Sequence, residues 1–232
     1  MKKLDIVYVL NTDLVNSELF FSLRSVAENF PHRKVWFYGG QPTELVPDER
    51  AAVPQIGGNR YERVRSLIKA ACENKKLTAD FWLFNDDFYV LQEIDELEPW
   101  YNGTLLDHAE AIKQRHGGQE TGYTKQLRKT AAVLEEAGKS TLNYAVHAPM
   151  KINRKKMLQT LERFPDCPML RALYGNDHEI GGEDAPDVKI VKPDERIPDD
   201  WRFASTSDAS FVNGIIGEQI RKRFTEPSPW EK

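Results

Sequence analysis

The run Asp80-Phe81-Trp82-Leu83-Phe84 limits most sharply what this chain can fold into. Four consecutive large apolar residues without polar alternation fit a strand covered on both faces, as at the centre of an α/β sheet. The run stops at Asn85-Asp86-Asp87, so two adjacent carboxylates stand at the carboxyl end of a buried strand. Mutual repulsion and desolvation make such a pair costly, and a cation relieves that cost; Mg²⁺ or Mn²⁺ suits the hard oxygen donors. The other role of aspartate at this position is a turn or helix cap.

Around this run the first half alternates strand and helix. Asp5-Ile6-Val7-Tyr8-Val9-Leu10 and Lys34-Val35-Trp36-Phe37-Tyr38 read as strands, and residues 53–56 as a third, bounded by Gly57-Gly58. Asn16 or Ser17 is placed to cap a helix that carries Leu19, Leu23 and Val26 on one side and stops before Pro31. Residues 61–73 put Val64, Leu67, Ile68 and Ala71 on one stripe of a second helix. The order predicts an α/β fold with a mostly parallel sheet, right-handed crossovers and helices on both faces. Ligands in such sheets sit beyond the carboxyl ends of the strands. The C-terminal half reads as mostly helical, with helices over 108–115, 123–137, 151–164 and 210–224. Between them, 177–200 reads as loop with one short strand at 188–191, and 226–229 as an extended tail.

Composition narrows the class. Of 232 residues, 40% are hydrophobic and 29% charged, enough apolar surface to exclude wholesale disorder. No apolar run approaches the roughly 18 residues of a membrane span, and Met1-Lys2-Lys3-Leu4-Asp5 does not open a secretory signal. Two cysteines, Cys72 and Cys167, build neither a disulfide framework nor a structural zinc site, so the expected setting is cytoplasmic. A net charge of −4 argues against a globally basic nucleic-acid binder. Yet residues 111–160 hold ten Lys and Arg against three acids, a net of +7, which suits either an anionic ligand or a solvated helical face.

Six further side chains can carry chemistry. His147, within Tyr144-Ala145-Val146-His147-Ala148-Pro149-Met150, reads as a proton acceptor for a hydroxyl or as a satisfied core histidine. Arg171 reads as a bidentate phosphate ligand or an ion-pair partner. Asp208, after Ser205-Thr206-Ser207, is a third carboxylate for a metal or base, or a helix cap. Lys151, Arg154 and Lys155 can steady phosphate oxygens. The chain lacks a G-x-x-x-x-G-K-[ST] loop, a G-x-G-x-x-G fingerprint and a G-x-S-x-G elbow, which removes most support for kinase, dehydrogenase and serine-hydrolase readings.

Taken in order, several short patches resemble the successive conserved regions of the Stealth family of sugar-1-phosphate transferases. They are Asp5-Ile6-Val7-Tyr8, Ser22-Leu23-Arg24-Ser25 with Lys34-Val35-Trp36, Asn85-Asp86-Asp87-Phe88, His147-Ala148-Pro149-Met150 and Ser207-Asp208. The chain is also similar to small phage and bacterial glycosyltransferase-like proteins; both groups use the nucleotide-diphospho-sugar transferase (GT-A) sheet. The resemblance implies that Asp86 and Asp87 hold Mg²⁺ or Mn²⁺ on a nucleotide-sugar diphosphate, such as a UDP-sugar. It gives His147 the catalytic role, Arg171 a phosphate contact and Asp208 the late acidic position, with Asp5, Asn11 and Arg24 on the donor side. The expectation is one catalytic domain over 1–232, with a nucleotide-binding half at 1–100 and an acceptor-side half at 101–232. The first function expected is glycosyl transfer to a hydroxyl, on a saccharide or on hydroxymethylated bases of phage DNA in the host cytoplasm. Sugar-1-phosphate transfer and a non-catalytic nucleotide- or saccharide-binding module are the alternatives.

Overall fold

Strand β1 (Leu4–Leu10) sends Ile6, Tyr8 and Leu10 to one face of the sheet and Val7 to the other, all buried, as a central strand requires. In the computed structural model, residues 3–10, 17–54 and 56–232 are described. After β1 come α1 (Ser17–Asn29), β2 (His32–Gly39), β3 (Glu49–Ala51), α2 (Arg60–Glu73), β4 (Asp80–Phe84), β5 (Phe88–Val90) and β6 (Trp100–Tyr101). The second half continues with α3 (Leu105–Arg115), α4 (Gly122–Glu136), β7 (Met150–Asn153), α5 (Arg154–Arg163) and α6 (Leu170–Asp177). It closes with β8 (Glu183–Asp184), β9 (Lys189–Ile190), β10 (Phe203–Thr206), α7 (Asp208–Asn213) and α8 (Ile215–Arg223).

The main sheet has the order β3-β2-β1-β4-β7. Helices cover both faces. Leu19, Leu23 and Val26 of α1 bury with Ile6, Tyr8 and Phe37 on one side, and Leu67, Ile68 and Ala71 of α2 with Val7, Trp36 and Leu83 on the other. Val64, expected on that stripe, is exposed at 37%. Asn59 caps α2, its side chain accepting from the amides of Tyr61 and Glu62. The patch Ser22-Leu23-Arg24-Ser25 docks α1 onto β5: the Ser22 hydroxyl donates to the Phe88 carbonyl at 2.5 Å, and Ser25 Oγ accepts from the Val90 amide at 3.0 Å.

The sheet is mixed, which corrects the mostly parallel arrangement expected. β3, β2, β1 and β4 run parallel, but β7 pairs antiparallel with β4 in the register Asp80↔Asn153 and Leu83↔Met150. The chain returns from α3 and α4 at the carboxyl end of β4, so pairing there makes it run back toward the opposite edge. Residues 151–164 therefore do not form one helix. Met150 and Ile152 are buried while Lys151 is exposed, the alternation of an edge strand. Asn153 then caps α5 by accepting from the Lys156 amide. The third strand lies at Glu49–Ala51, not at 53–56, because it pairs with β2 through Trp36↔Glu49 and Tyr38↔Ala51. The last helix is broken at Gly214 into α7 and α8. Two smaller sheets, β5-β10-β9 and β6-β8, organise the region read as loop. Among the described residues, no helix is long and apolar enough to cross a membrane.

Asp5 is wholly buried at the start of β1, where both carboxylate oxygens accept from Arg33, at 2.7 and 2.6 Å, and one also from the Thr78 amide at 2.9 Å. Removing the carboxylate leaves a guanidinium and an amide unpaired. Asp5→Ala is expected to lower stability by about 2–4 kcal/mol, and Arg33→Ala to cost less only if water reaches the carboxylate it leaves behind. Urea unfolding of both variants checks this.

Candidate functional site

The strand order changes direction between β1 and β4: β2 lies on one side of β1, and the later strand β4 on the other. In open α/β sheets this switch point opens a crevice outside the carboxyl ends of the two strands. A cavity of about 350 Å³ occupies that position, lined by Val9, Asn85, Asp86, Arg60, Tyr61 and Arg171. Larger cavities, of about 450, 610 and 440 Å³, include neither Asp86 nor Asp87. Position at the strand ends, rather than size, selects the smaller one.

The antiparallel entry of β7 brings His147 to this edge. Met150 pairs with Leu83, so the three residues before β7 reach past Phe84 toward Asn85 and Asp86. Arg171 on α6 fixes the junction. Its Nη1 donates to the carbonyls of Ala148 (2.5 Å) and Val146 (3.4 Å), and its Nη2 to that of Leu83 (3.2 Å). The guanidinium also lies over the Phe88 ring at 5.1 Å. Helix α6 comes this close because Gly175 faces Tyr144: a Cβ there would stand 2.3 Å from its ring. Burial pulls the Arg171 pKa down to about 10, against the opposing charges of Asp87 and Asp187.

Asp187 holds His147 at two points. One carboxylate oxygen accepts the His147 amide at 2.9 Å, and the other accepts from Nδ1 at 2.8 Å. Burial pushes the Asp187 carboxyl up, but the hydrogen bonds and charge of His147, with the charge of His108, outweigh it and hold the group below its ordinary value. An ionised acceptor on Nδ1 places the imidazole proton there and leaves Nε2 as the basic nitrogen. Among the described residues nothing hydrogen-bonds Nε2. The Phe88 ring meets the imidazole edge-on at 6.2 Å. His108 and Tyr123, 6.2 Å apart and edge-on, stand within reach of the same carboxylate. Burial lowers His108, and pushes the Tyr123 hydroxyl up to about 12.

The paired carboxylates have different surroundings. Asp87 Oδ2 takes the Lys189 ammonium at 2.5 Å and the Ser205 hydroxyl at 2.9 Å. Asp86 lines the switch-point cavity. Buried Glu18, on the first turn of α1, accepts a hydrogen bond from the Thr206 hydroxyl. Burial first, then the charges of Asp87, Asp86 and Asp208, raise its pKa to about 7 against that hydrogen bond. The negative charges of this cluster thus bear on Glu18 from three carboxylates. Among the described residues, no three His, Cys, Asp or Glu side chains converge to hold a metal. Magnesium sites commonly use one or two carboxylates completed by substrate phosphates, and Asp86 with Asp87 fits that donor type.

The remaining expected residues are dispersed. Asp208, exposed on the first turn of α7, joins this cluster only through its charge on Glu18. Asp5 lies three residues back from Tyr8, about 10 Å from the strand ends, and serves Arg33. Arg24 clamps Glu231 with two hydrogen bonds, of 2.8 and 2.6 Å, and so secures the C-terminal segment. Arg154 donates to the carbonyls of Cys72 and Leu77 at the opposite edge, and Lys155 is exposed beside it. Lys151 lies mid-strand opposite Trp82. Lys151, Arg154 and Lys155 thus lie where the chain runs away from the crevice, and Asp5 and Arg24 hold partners within the fold. Asn11 and the alternative cap Asn16 lie outside the described residues. Within the basic stretch, Arg128 pairs with Glu110 and Glu120, Lys139 with Glu179, and Lys129 with the Asp166 carbonyl, so these cations are already engaged. Asp187, Lys189 and Glu18 were missed; each acts through a partner 40 or more residues away, and no local pattern marks it. No profile of a known protein family matches the chain, and no curated protein sequence does.

Glu18 gives a pH signature. Its folded pKa lies above the ordinary 4.5, so the folded state binds a proton the unfolded state has released, and stability falls as pH rises from about 4.5 through about 7. Glu18→Gln is expected to be more stable than the parent by about 1–3 kcal/mol at pH 8, with a smaller difference at pH 5. Urea unfolding at the two pH values measures the difference.

Proposed function

We propose that the chain is a transferase acting on a nucleotide-activated sugar, with glycosyl transfer to a hydroxyl as its reaction. The observation that carries this reading is the Asp187-oriented His147, whose ring meets Phe88, the residue that follows Asp86 and Asp87 beyond the carboxyl end of β4. The resemblance to Stealth-type and GT-A-like enzymes supports it through the same residues. A donor diphosphate in the crevice brings negative charge to a place already rich in carboxylates. A divalent cation bound with it would offset charge on the leaving diphosphate, and Asp86 and Asp87 would hold that cation.

The residues of the chain supply the rest. Nε2 of His147 accepts the proton of the acceptor hydroxyl as its oxygen attacks the anomeric carbon. The bond from that carbon to the diphosphate oxygen breaks, and the electron pair leaves with the nucleoside diphosphate. Asp187 keeps the imidazole in the reactive tautomer and stabilises the imidazolium that forms, a positioning role. Arg171 spends its hydrogen bonds on carbonyls, so its contribution is to hold the His147 segment and to add positive potential.

Incubation with a panel of nucleotide sugars and Mn²⁺ tests the reading. Nucleoside diphosphate should be released, and His147→Ala should lower kcat by about 10²–10⁴ while leaving donor affinity within about threefold. Asp187→Asn should lower kcat at least about tenfold and alter the pH–rate profile on its basic-group limb. Release of nucleoside monophosphate would assign sugar-phosphate transfer instead. Donor binding with no turnover, unaffected by His147→Ala, would identify a binding module.

A further inference from the structure

Beside the catalytic edge lies a second cavity, of about 450 Å³, that the proposed donor chemistry leaves unused. No helix covers the outer half of the α1 side of the sheet, where Lys151 and Asn153 of β7 share a face with Trp82 and Asp80 of β4. Trp82 and Lys151 form part of the lining, Trp100 and Tyr144 stand among the walls, and Lys156 lies near the far end. At the near end the cavity touches Val146 and Ala148, the two neighbours of His147, and Arg171 borders both this cavity and the one at the switch point.

We infer that this cavity binds the saccharide acceptor, an oligosaccharide laid along β7 with one hydroxyl toward the His147 segment. The inference rests on the transferase reading and adds to it the class and place of the acceptor. Three features carry it. Aromatic walls suit the apolar faces of sugar rings, and half-buried Trp100 offers such a face. Trp82 is 2% exposed, and its indole N–H is buried without a hydrogen-bond partner among the described residues. A dry donor in the wall of a polar cavity is a cost that a ligand oxygen removes. Lys151 and Lys156 have no ion pair among the described residues, unlike Lys139 and Lys189, and so have donors to offer hydroxyl or carboxylate oxygens. At the rim, Glu179 takes a φ of 48°, a left-handed conformation that side chains other than glycine seldom adopt.

An array of neutral and uronic-acid-containing oligosaccharides, probed with the full chain without nucleotide, finds the strongest binder; calorimetric titration then compares Trp82→Phe and Lys151→Ala with the parent. Trp82→Phe keeps an aromatic ring and removes only the unpartnered donor, and Lys151 is exposed, so both variants should fold with unchanged circular dichroism. Saturable binding that weakens fivefold or more in either variant supports the inference. Absence of any binder, or binding unchanged in both variants, overturns it. A nucleotide-sugar thermal shift on the same samples reads the donor site separately. A shift without oligosaccharide binding sinks this inference alone, and oligosaccharide binding without a shift sinks the donor reading alone.

Discussion

The site depends on one cation, Arg171, that makes no ion pair among the described residues. Arg171 donates to the carbonyls of Leu83, Val146 and Ala148, and so ties the end of β4 to the segment that leads into β7. The Val146 and Ala148 carbonyls lie before β7 begins, outside the ladder, so the guanidinium gives them donors that the sheet does not. The same fork sits over Phe88, which also meets the His147 ring. Junction, aromatic floor and imidazole are therefore positioned together. A lysine could not replace it, since three carbonyls and a ring face call for a planar group with several fixed donors.

Electrostatics follow from that geometry. Asp87 and Asp187 both act on the Arg171 charge and have different partners, Asp87 the Lys189 ammonium and Asp187 the amide and the Nδ1–H of His147. Burial and the charges of Asp87, Asp86 and Asp208 bear on Glu18, which answers by retaining its proton up to about pH 7.

Much of the fold was legible because it rests on short-range pattern. The apolar run of β4, the Leu67, Ile68 and Ala71 stripe of α2, and the stop of α1 before Pro31 each announce themselves within a few residues. The Asn85-Asp86-Asp87 and His147 patches were visible as chemistry, and their approach follows once β4 and β7 pair. What escaped was β7 itself, four residues whose alternation was absorbed into the helical pattern that follows. The partners escaped as well. Asp187 sits between Pro186 and Val188 in a segment rich in glycine, proline and acids, and its meaning comes only from a residue 40 positions earlier. Asp5, Arg24 and Arg154 show the converse error: charged residues near the expected motifs are used to hold the fold.

Crystals grown with a nucleoside diphosphate and Mn²⁺ would bear most directly on the central claim, that the crevice between β1 and β4 takes an activated nucleotide beside an oriented base. The account predicts density for the diphosphate against Asn85, Asp86 and Asp87, with His147 Nε2 facing the position of the transferred sugar. Diphosphate density elsewhere on the molecule, with the β1–β4 crevice filled only by water, would contradict it.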